Sequence, residues 1–324
     1  MPNAKITVKD VGKKIISEYS FVLSFILLVI IAASVNKNFF TWTNISNIFV
    51  QSSMIGLIAM GMSMVISAGQ IDISVGSQVA FIGGFGILVL NYTRSVWVML
   101  AFCCAVGIAL GAINGLLVTK GGMPSMAMQS ACRSVINHFG SGGPFTVDSE
   151  LYESFRMLAV GGIEIGPSFK IPYLMIIFIV FVIIFDNIMR NTKLGKHVYA
   201  VGSNEVSARL SGINVDLVKT LTFVITGLMC GVAALIYASR MTAVAAASAG
   251  SAYEMDAIAA VAIGGTSMSG GRGKIVGTFA GVLMFKIISN ILTAADVSTF
   301  LNGAISGAII VIAVLLQNFQ NRKR

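Results

Sequence analysis

The stretch Ile45-Ser46-Asn47-Ile48-Phe49-Val50-Gln51-Ser52-Ser53-Met54-Ile55-Gly56-Leu57-Ile58-Ala59-Met60-Gly61-Met62-Ser63-Met64-Val65-Ile66-Ser67 decides the fold class. It contains no charged residue and exceeds the length, about 20 residues, with which a helix crosses a bilayer core. A polar interruption follows, Ala68-Gly69-Gln70-Ile71-Asp72-Ile73-Ser74-Val75-Gly76-Ser77, and a second apolar run resumes over 73 to 92. Further runs lie near 17 to 35, 95 to 118, 171 to 189, 219 to 239, 275 to 293 and 299 to 317. Two segments are weaker: 123 to 140 carries Arg133 and His138, and 253 to 268 opens with Glu254 and Asp256. Lipid offers no partner to a bare backbone amide, so the chain reads as all-α, a polytopic bundle of membrane helices.

Composition supports this reading. The 324 residues include 22 Lys+Arg and 13 Asp+Glu, so 11% are charged, where soluble domains carry about 25%. Hydrophobic residues make up 56% before the 34 glycines are counted, and mean hydropathy is +0.87. A soluble two-domain enzyme, a coiled coil and a disordered chain are poor descriptions of such a sequence. Lys5, Lys9, Lys13 and Lys14 precede an apolar run from Phe21 to Val35, as in a signal peptide, but more apolar segments follow at once, and an uncleaved first helix is expected.

Basic residues orient membrane helices. With ten crossings and both termini cytoplasmic, Lys5, Lys9, Lys13, Lys14, Lys120, Arg190, Lys193, Lys196, Arg209, Lys219, Arg272, Lys274 and Arg322-Lys323-Arg324 share the inner side. Lys37, Arg94, Arg156, Lys170 and Arg240 fall outside. Eight crossings would place the basic segment from Arg190 to Lys219 outside, and nine would invert the C-terminal cluster. Ten is therefore the expected count for a single membrane domain over 1–324, with its largest outer loop at about 141–170 and its largest inner loop at about 190–218. The net charge of +9 is then a matter of topology and lipid headgroups, not of nucleic acid.

Small residues recur every fourth position: Gly107, Gly111 and Gly115, then Gly227 and Gly231, Gly277 and Gly281, Gly303 and Gly307. Each set makes a flat stripe for close helix approach, either inside one bundle or at a dimer seam.

Three constellations stand out. A carboxylate near membrane depth, as at Asp72, marks a translocation path or functional contact; the alternative is that Asp72 or Ser74 caps the following helix, and both roles can coexist in a broken helix that lines a cavity. In the inner loop, Ser203 or Asn204 can cap a short helix, Glu205 complements its positive end, and Gly212 stops it. A helix of about two turns is unstable alone in water, so it is expected to rest on the body of the protein or on a partner; the alternative is a merely solvated connector. The third, from Tyr253 to Lys274, ends in Gly270-Gly271-Arg272-Gly273-Lys274 but lacks the leading Gly and following Ser or Thr of a phosphate-binding loop. It reads as a flexible basic turn. No catalytic constellation is present: the two histidines, His138 and His197, fit no hydrolase pattern. The four cysteines, Cys103, Cys104, Cys132 and Cys230, have neither disulfide nor zinc spacing. Lys286 inside an apolar run is expected to snorkel or to face a polar cavity.

These residues resemble a known family, the membrane permeases of ATP-binding-cassette (ABC) monosaccharide importers, the ribose, galactose, xylose and autoinducer-2 group. The resemblance rests on Asn38-Phe39-Phe40-Thr41, on Ile71-Asp72-Ile73-Ser74-Val75-Gly76-Ser77, on Tyr199-Ala200-Val201-Gly202-Ser203-Asn204 with Leu210-Ser211-Gly212-Ile213, and on Tyr253-Glu254-Met255-Asp256-Ala257-Ile258-Ala259-Ala260 with Gly264-Gly265-Thr266-Ser267. Each piece is weak alone; in this order they are specific. The resemblance implies a non-enzymatic permease of the bacterial inner membrane that imports a ribose-like pentose or related small sugar or polyol. It implies an ABC ATPase subunit holding the ATP and Mg, a second permease copy or paralogue, and a periplasmic sugar-binding protein. It makes Asn204 to Gly212 the helix that couples to the ATPase, with Asn204, Glu205, Ala208, Arg209, Ser211 and Gly212 as its carriers. The chain departs from the family at Gly69-Gln70, where two glycines are usual, and at Ser125-Met126-Ala127-Met128-Gln129-Ser130, where an aromatic and Thr-Leu-Gly are usual. A reading from another class is a self-sufficient secondary carrier or channel for a small polar solute.

Overall fold

The computed structural model describes residues 25–297 apart from 142, 167 and 168, together with 301, 304, 307, 308 and 311. The N-terminal lysines, the start of the first run, most of the run near 299 to 317, Gly303 and Arg322-Lys323-Arg324 lie outside the described residues.

Among the described residues, six helices are long and apolar enough to cross a membrane: α2 (Trp42–Ser67), α3 (Val75–Thr93), α4 (Val96–Thr119), α7 (Tyr173–Asn191), α10 (Val215–Met241) and α12 (Ile275–Ala294). They match six of the eight strong runs. A shorter apolar helix, α1 (Phe25–Val35), precedes them. The weak segments form shorter helices than hydropathy suggested: α5 spans Met126–Gly140 and α11 spans Tyr253–Ile263, 15 and 11 residues. At about 1.5 Å per residue neither bridges the hydrocarbon core alone.

The chain is mostly helical, as the all-α reading expects, with one small addition. Among the described residues, four three-residue strands form two small antiparallel ribbons: β1 (Pro144–Thr146) pairs with β4 (Ala243–Ala245), and β2 (Gly162–Glu164) pairs with β3 (Lys170–Pro172). The segment near 141–170 is therefore built rather than open, and it also holds α6 (Tyr152–Val160). Phe155 of α6 is buried, and its carbonyl accepts from the Ser239 hydroxyl of α10 at 2.7 Å. Arg94 pairs with Asp148 at 3.2 Å and Glu150 at 3.1 Å, fastening the segment to the end of α3. Trp42 stacks on Phe169 and donates its indole N–H to the Lys170 carbonyl at 2.7 Å.

The core is α2, buried from Ser52 to Ser67, with α10 packed against it and against α3 and α4. Thr41 caps α2 by accepting from the Asn44 N–H, and Gly69, at φ +79°, turns the chain out of it. The glycine stripes of α4, α10 and α12 serve packing within the chain, whereas a Cβ on Gly307 would meet nothing within 4 Å. A Cβ on Gly107 would strike the Gly227 carbonyl, one on Gly111 the Phe223 carbonyl, and one on Gly231 the Cys103 carbonyl, so α4 and α10 meet backbone to backbone. Gly277 and Gly281 do the same for α12 against Gly264 and Ala260 at the end of α11. The second small cluster, Ala32, Phe39, Ile48, Leu283 and Ile287, ties α1 to α2 and α12.

The α4–α10 contact generates a prediction. Gly227→Leu should cost at or above about 3 kcal/mol, because no rotamer avoids the facing carbonyl. Ala109→Leu, on the exposed side of α4, should be tolerated. Thermal unfolding midpoints of the detergent-solubilised proteins check this; equal midpoints would refute the backbone contact.

Candidate functional site

The break between α2 and α3 is a closed polar node. Asp72 and Ser74 are both 0% exposed. Asp72 Oδ1 accepts from the Ser74 backbone N–H at 2.9 Å, the Ser74 hydroxyl at 2.6 Å and Asn114 Nδ2 of α4 at 3.1 Å. Gln78 Nε2 donates to Ser74 Oγ at 2.7 Å, and Asn114 Nδ2 also reaches Ser74 Oγ, at 3.1 Å. Asp72 Oδ2 and Gln78 Oε1 have no hydrogen-bond partner in this arrangement. Ser74 occupies the N-cap position of α3 without making a side-chain cap bond; Asp72 binds the chain turn ahead of α3 and crosslinks it to α4. Carboxylates are costly at such depth unless their hydrogen bonds are met, and Asn114, in the middle of an apolar run, is the partner the sequence did not disclose.

The residues of this break that reach outward are others. Ile71 is 45% exposed, and Gln70 and Ile73 are half-buried. With Val118, Met123, Pro124 and Met126 they line a cavity of about 450 Å³ between the α2–α3 and α4–α5 connections. Ser125 holds the two connections together, accepting from the Ile73 N–H at 3.1 Å and donating to the Ile71 carbonyl at 3.3 Å.

The basic loop near 190–218 is largely helical: α8 spans Lys193–Ser203 and α9 spans Glu205–Leu210. Asn204 caps α9, accepting from the Ser207 N–H at 2.8 Å. At the other end Gly212 takes φ +82°, with its N–H on the Arg209 carbonyl at 3.0 Å and the Ile213 N–H on the Ala208 carbonyl at 3.1 Å. This pair of bonds is the Schellman closure, which glycine permits because it has no Cβ to clash. Ser211 donates to the Ser207 carbonyl at 2.8 Å. Glu205 pairs with Lys219 of α10 at 2.6 Å, and Arg209 with Asp216 at 3.0 Å. Ala208 is buried, whereas Val206 and Leu210 are 69% and 85% exposed.

α8, which carries this unit, rests on the glycine turn after α11. Tyr199 donates its hydroxyl to the Gly273 carbonyl at 2.8 Å, and the Gly271 N–H donates to the Ser67 carbonyl at 2.9 Å. A Cβ on Gly202 would strike that same Ser67 carbonyl. The third constellation is therefore a junction of α2, α8 and the 264–274 turn, where Gly265, Gly270 and Gly271 take positive φ. At the opposite end of α11, Asp256 and Lys286 approach to 3.9 Å, both largely shielded. Lys286 faces a carboxylate inside the protein instead of snorkelling.

A profile of the permease component of the branched-chain amino acid transport system matches residues 44–314. The chain belongs to that permease family. Among curated relatives, the permease is 33% identical to the ribose import permease protein of Haemophilus influenzae, over 97% of both chains. It is 38% identical to that of Bacillus subtilis over 91% of this chain and 90% of the relative. It is 29% identical to the L-arabinose transport system permease protein of Escherichia coli over 96% and 93%. No solved structure matches.

Loss of the Asp72 node should separate two substitutions. Asp72→Asn keeps an acceptor oxygen and should leave the permease folded. Asp72→Leu strands Ser74 and Asn114 and should cost about 3 kcal/mol or more. Thermal unfolding of the purified permease checks this, and equal behaviour of the two variants would sink the assignment.

Proposed function

We propose that the permease is the membrane-spanning subunit of an ATP-driven importer that carries a neutral monosaccharide, a ribose-like pentose or related small sugar or polyol, across the bacterial inner membrane. The observation that carries the reading is near full-length similarity to sugar permeases whose names specify ribose or L-arabinose, both neutral aldopentoses. The partners under this reading are an ABC ATPase subunit that holds ATP and Mg, a second permease copy or paralogue, and a periplasmic sugar-binding protein.

The proposed ATPase contact is the α8–α9 unit, and its geometry changes which residues matter. Asn204, Ser211 and Gly212 shape α9, Ala208 packs beneath it, and Glu205 and Arg209 bind Lys219 and Asp216 on their own chain. Val206 and Leu210 are the apolar tips left for a partner. A short helix fastened by two ion pairs to α10 moves as one body with it, which suits transmission of ATPase closure to the bundle.

Ten crossings with cytoplasmic termini belong to the same proposal. Support comes from α5 and α11: each, with its flanking turn, returns the chain to the end from which the next long helix starts. Thr119 meets Thr220 at 3.1 Å where α4 ends and α10 begins, and Tyr199 meets Gly273 just before α12. In this topology Lys120, Lys193, Arg209 and Lys274 share the inner end, as the charge rule requires.

Proteoliposomes containing the permease, its ATPase and its binding protein should accumulate radiolabelled D-ribose only with ATP on the ATPase side. Uptake by the permease alone would establish the rival reading, a self-sufficient carrier. Leu210→Asp should lower sugar-stimulated ATP turnover at least about tenfold, the loss of one buried interface anchor, with the amount of permease in the membrane unchanged. Glu205→Lys, which sets two cations against each other at Lys219, should do the same by displacing α9; wild-type turnover in both variants would remove α9 from the contact.

A further inference from the structure

The outward surfaces of the helices are not all alike. The sides of α7 and α4 left open are apolar: Ile179, Val180, Ile183 and Ile184 on the first, Val98, Ile108, Ile113 and Leu116 on the second. Such faces suit lipid. α5 packs on α3, a membrane helix, with Met128, Cys132 and Ile136 buried and Ile136 set against Gly84. Its opposite side carries Ser130, Ser134 and His138, all exposed, with Asn137 half-buried beside them. At 100° per residue these four fall within one arc of the helix. Their side chains make no hydrogen bond among the described residues, a costly arrangement against hydrocarbon.

Two further observations say what this face meets. Its N-terminal end, at Pro124, Ser125 and Met126, forms part of the wall of the cavity of about 450 Å³ described above, so the polar arc continues from an existing opening. The one full charge on this side of the helix, Arg133, is drawn away: its Nη1 donates to the Ala246 carbonyl at 2.8 Å. What remains is hydroxyl, amide and imidazole, groups that both donate and accept. An ion path would present a ring of carboxylates or carbonyls; an array of hydroxyl, amide and imidazole groups matches a polyhydroxylated solute.

We propose that this face of α5, Ser130, Ser134, Asn137 and His138, lines the aqueous translocation path and hydrogen-bonds the passing neutral sugar. The proposal rests on the importer reading above and adds the wall to it. Val135 and Phe139, exposed on the adjoining side of the helix, are outside the path.

The test uses the assembled importer in proteoliposomes with Cys104→Ala as parent, since the other three thiols are buried. Ser134→Cys and Val135→Cys are each treated with a charged, membrane-impermeant methanethiosulfonate. A thiol in water should react at least about tenfold faster than one in an apolar setting, where the reactive thiolate is suppressed. The expected result is fast modification at position 134, slowed by D-ribose and abolishing uptake, with slow modification at 135 that leaves uptake unchanged. Ser134→Trp should likewise block uptake in complexes that still elute as the intact assembly. Slow modification at 134, equal rates at both positions, or modification without loss of uptake would overturn the proposal. ATP-driven uptake by the untreated parent tests the importer reading separately, so the two failures are distinguishable.

Discussion

Everything in the bundle depends on α4 and α10 touching through their backbones. Gly107, Gly111, Gly227 and Gly231 remove the side chains that would hold the helices apart, and in a bilayer no hydrophobic drive exists to push them together. Association must come from dispersion over a close, flat contact. Once α10 is fixed this way, it also becomes the support for α2, α3 and α6. Its first turn carries Asp216 and, just beyond, Lys219, which hold α9 in place. A single packing decision thus connects the middle of the membrane to the basic end of the molecule.

The second constraint is the break between α2 and α3. A chain interruption beside membrane helices calls for internal partners for its polar groups, and the Asp72, Ser74, Gln78 and Asn114 node supplies most of them with side chains from α3, α4 and the turn ahead of α3, leaving Asp72 Oδ2 and Gln78 Oε1 without one. Burying the carboxylate frees the surface of the break for Gln70 and Ile71, which face the cavity with residues from the start of α5. Neighbours in one short segment therefore do different things: Asp72 and Ser74 hold the turn, and adjacent residues face the cavity.

The exposed tips of α9 and the cavity beside the α2–α3 break are likewise separated. α8 lies between them, bonded through Tyr199 to the glycine turn after α11, while that turn's Gly271 bonds Ser67 at the end of α2. A displacement of α9 would reach the α2–α3 break through backbone contacts that leave little slack, because at Gly202 even a Cβ would not fit.

Much of this was legible in the residues alone. Long uncharged runs specify membrane helices because the bilayer punishes anything else, and the starts and ends of the six long helices fall within a few residues of the hydropathy limits. Asn204 and Gly212 announced α9 because capping is local chemistry. Other features depend on residues far apart in the chain and could not be read locally. The partnership of Asp72 with Asn114, the pairing of Lys286 with Asp256, the assignment of the glycine stripes to packing within the chain, and the β-ribbons that order the segment near 141–170 all arise from side chains or strands brought together by folding. Composition determined that this chain must live in lipid, since so few charges cannot clothe a soluble surface. Only the tertiary structure decided which polar groups are buried against one another and which, on α5, are left facing outward, because that depends on which sides of the helices are already covered.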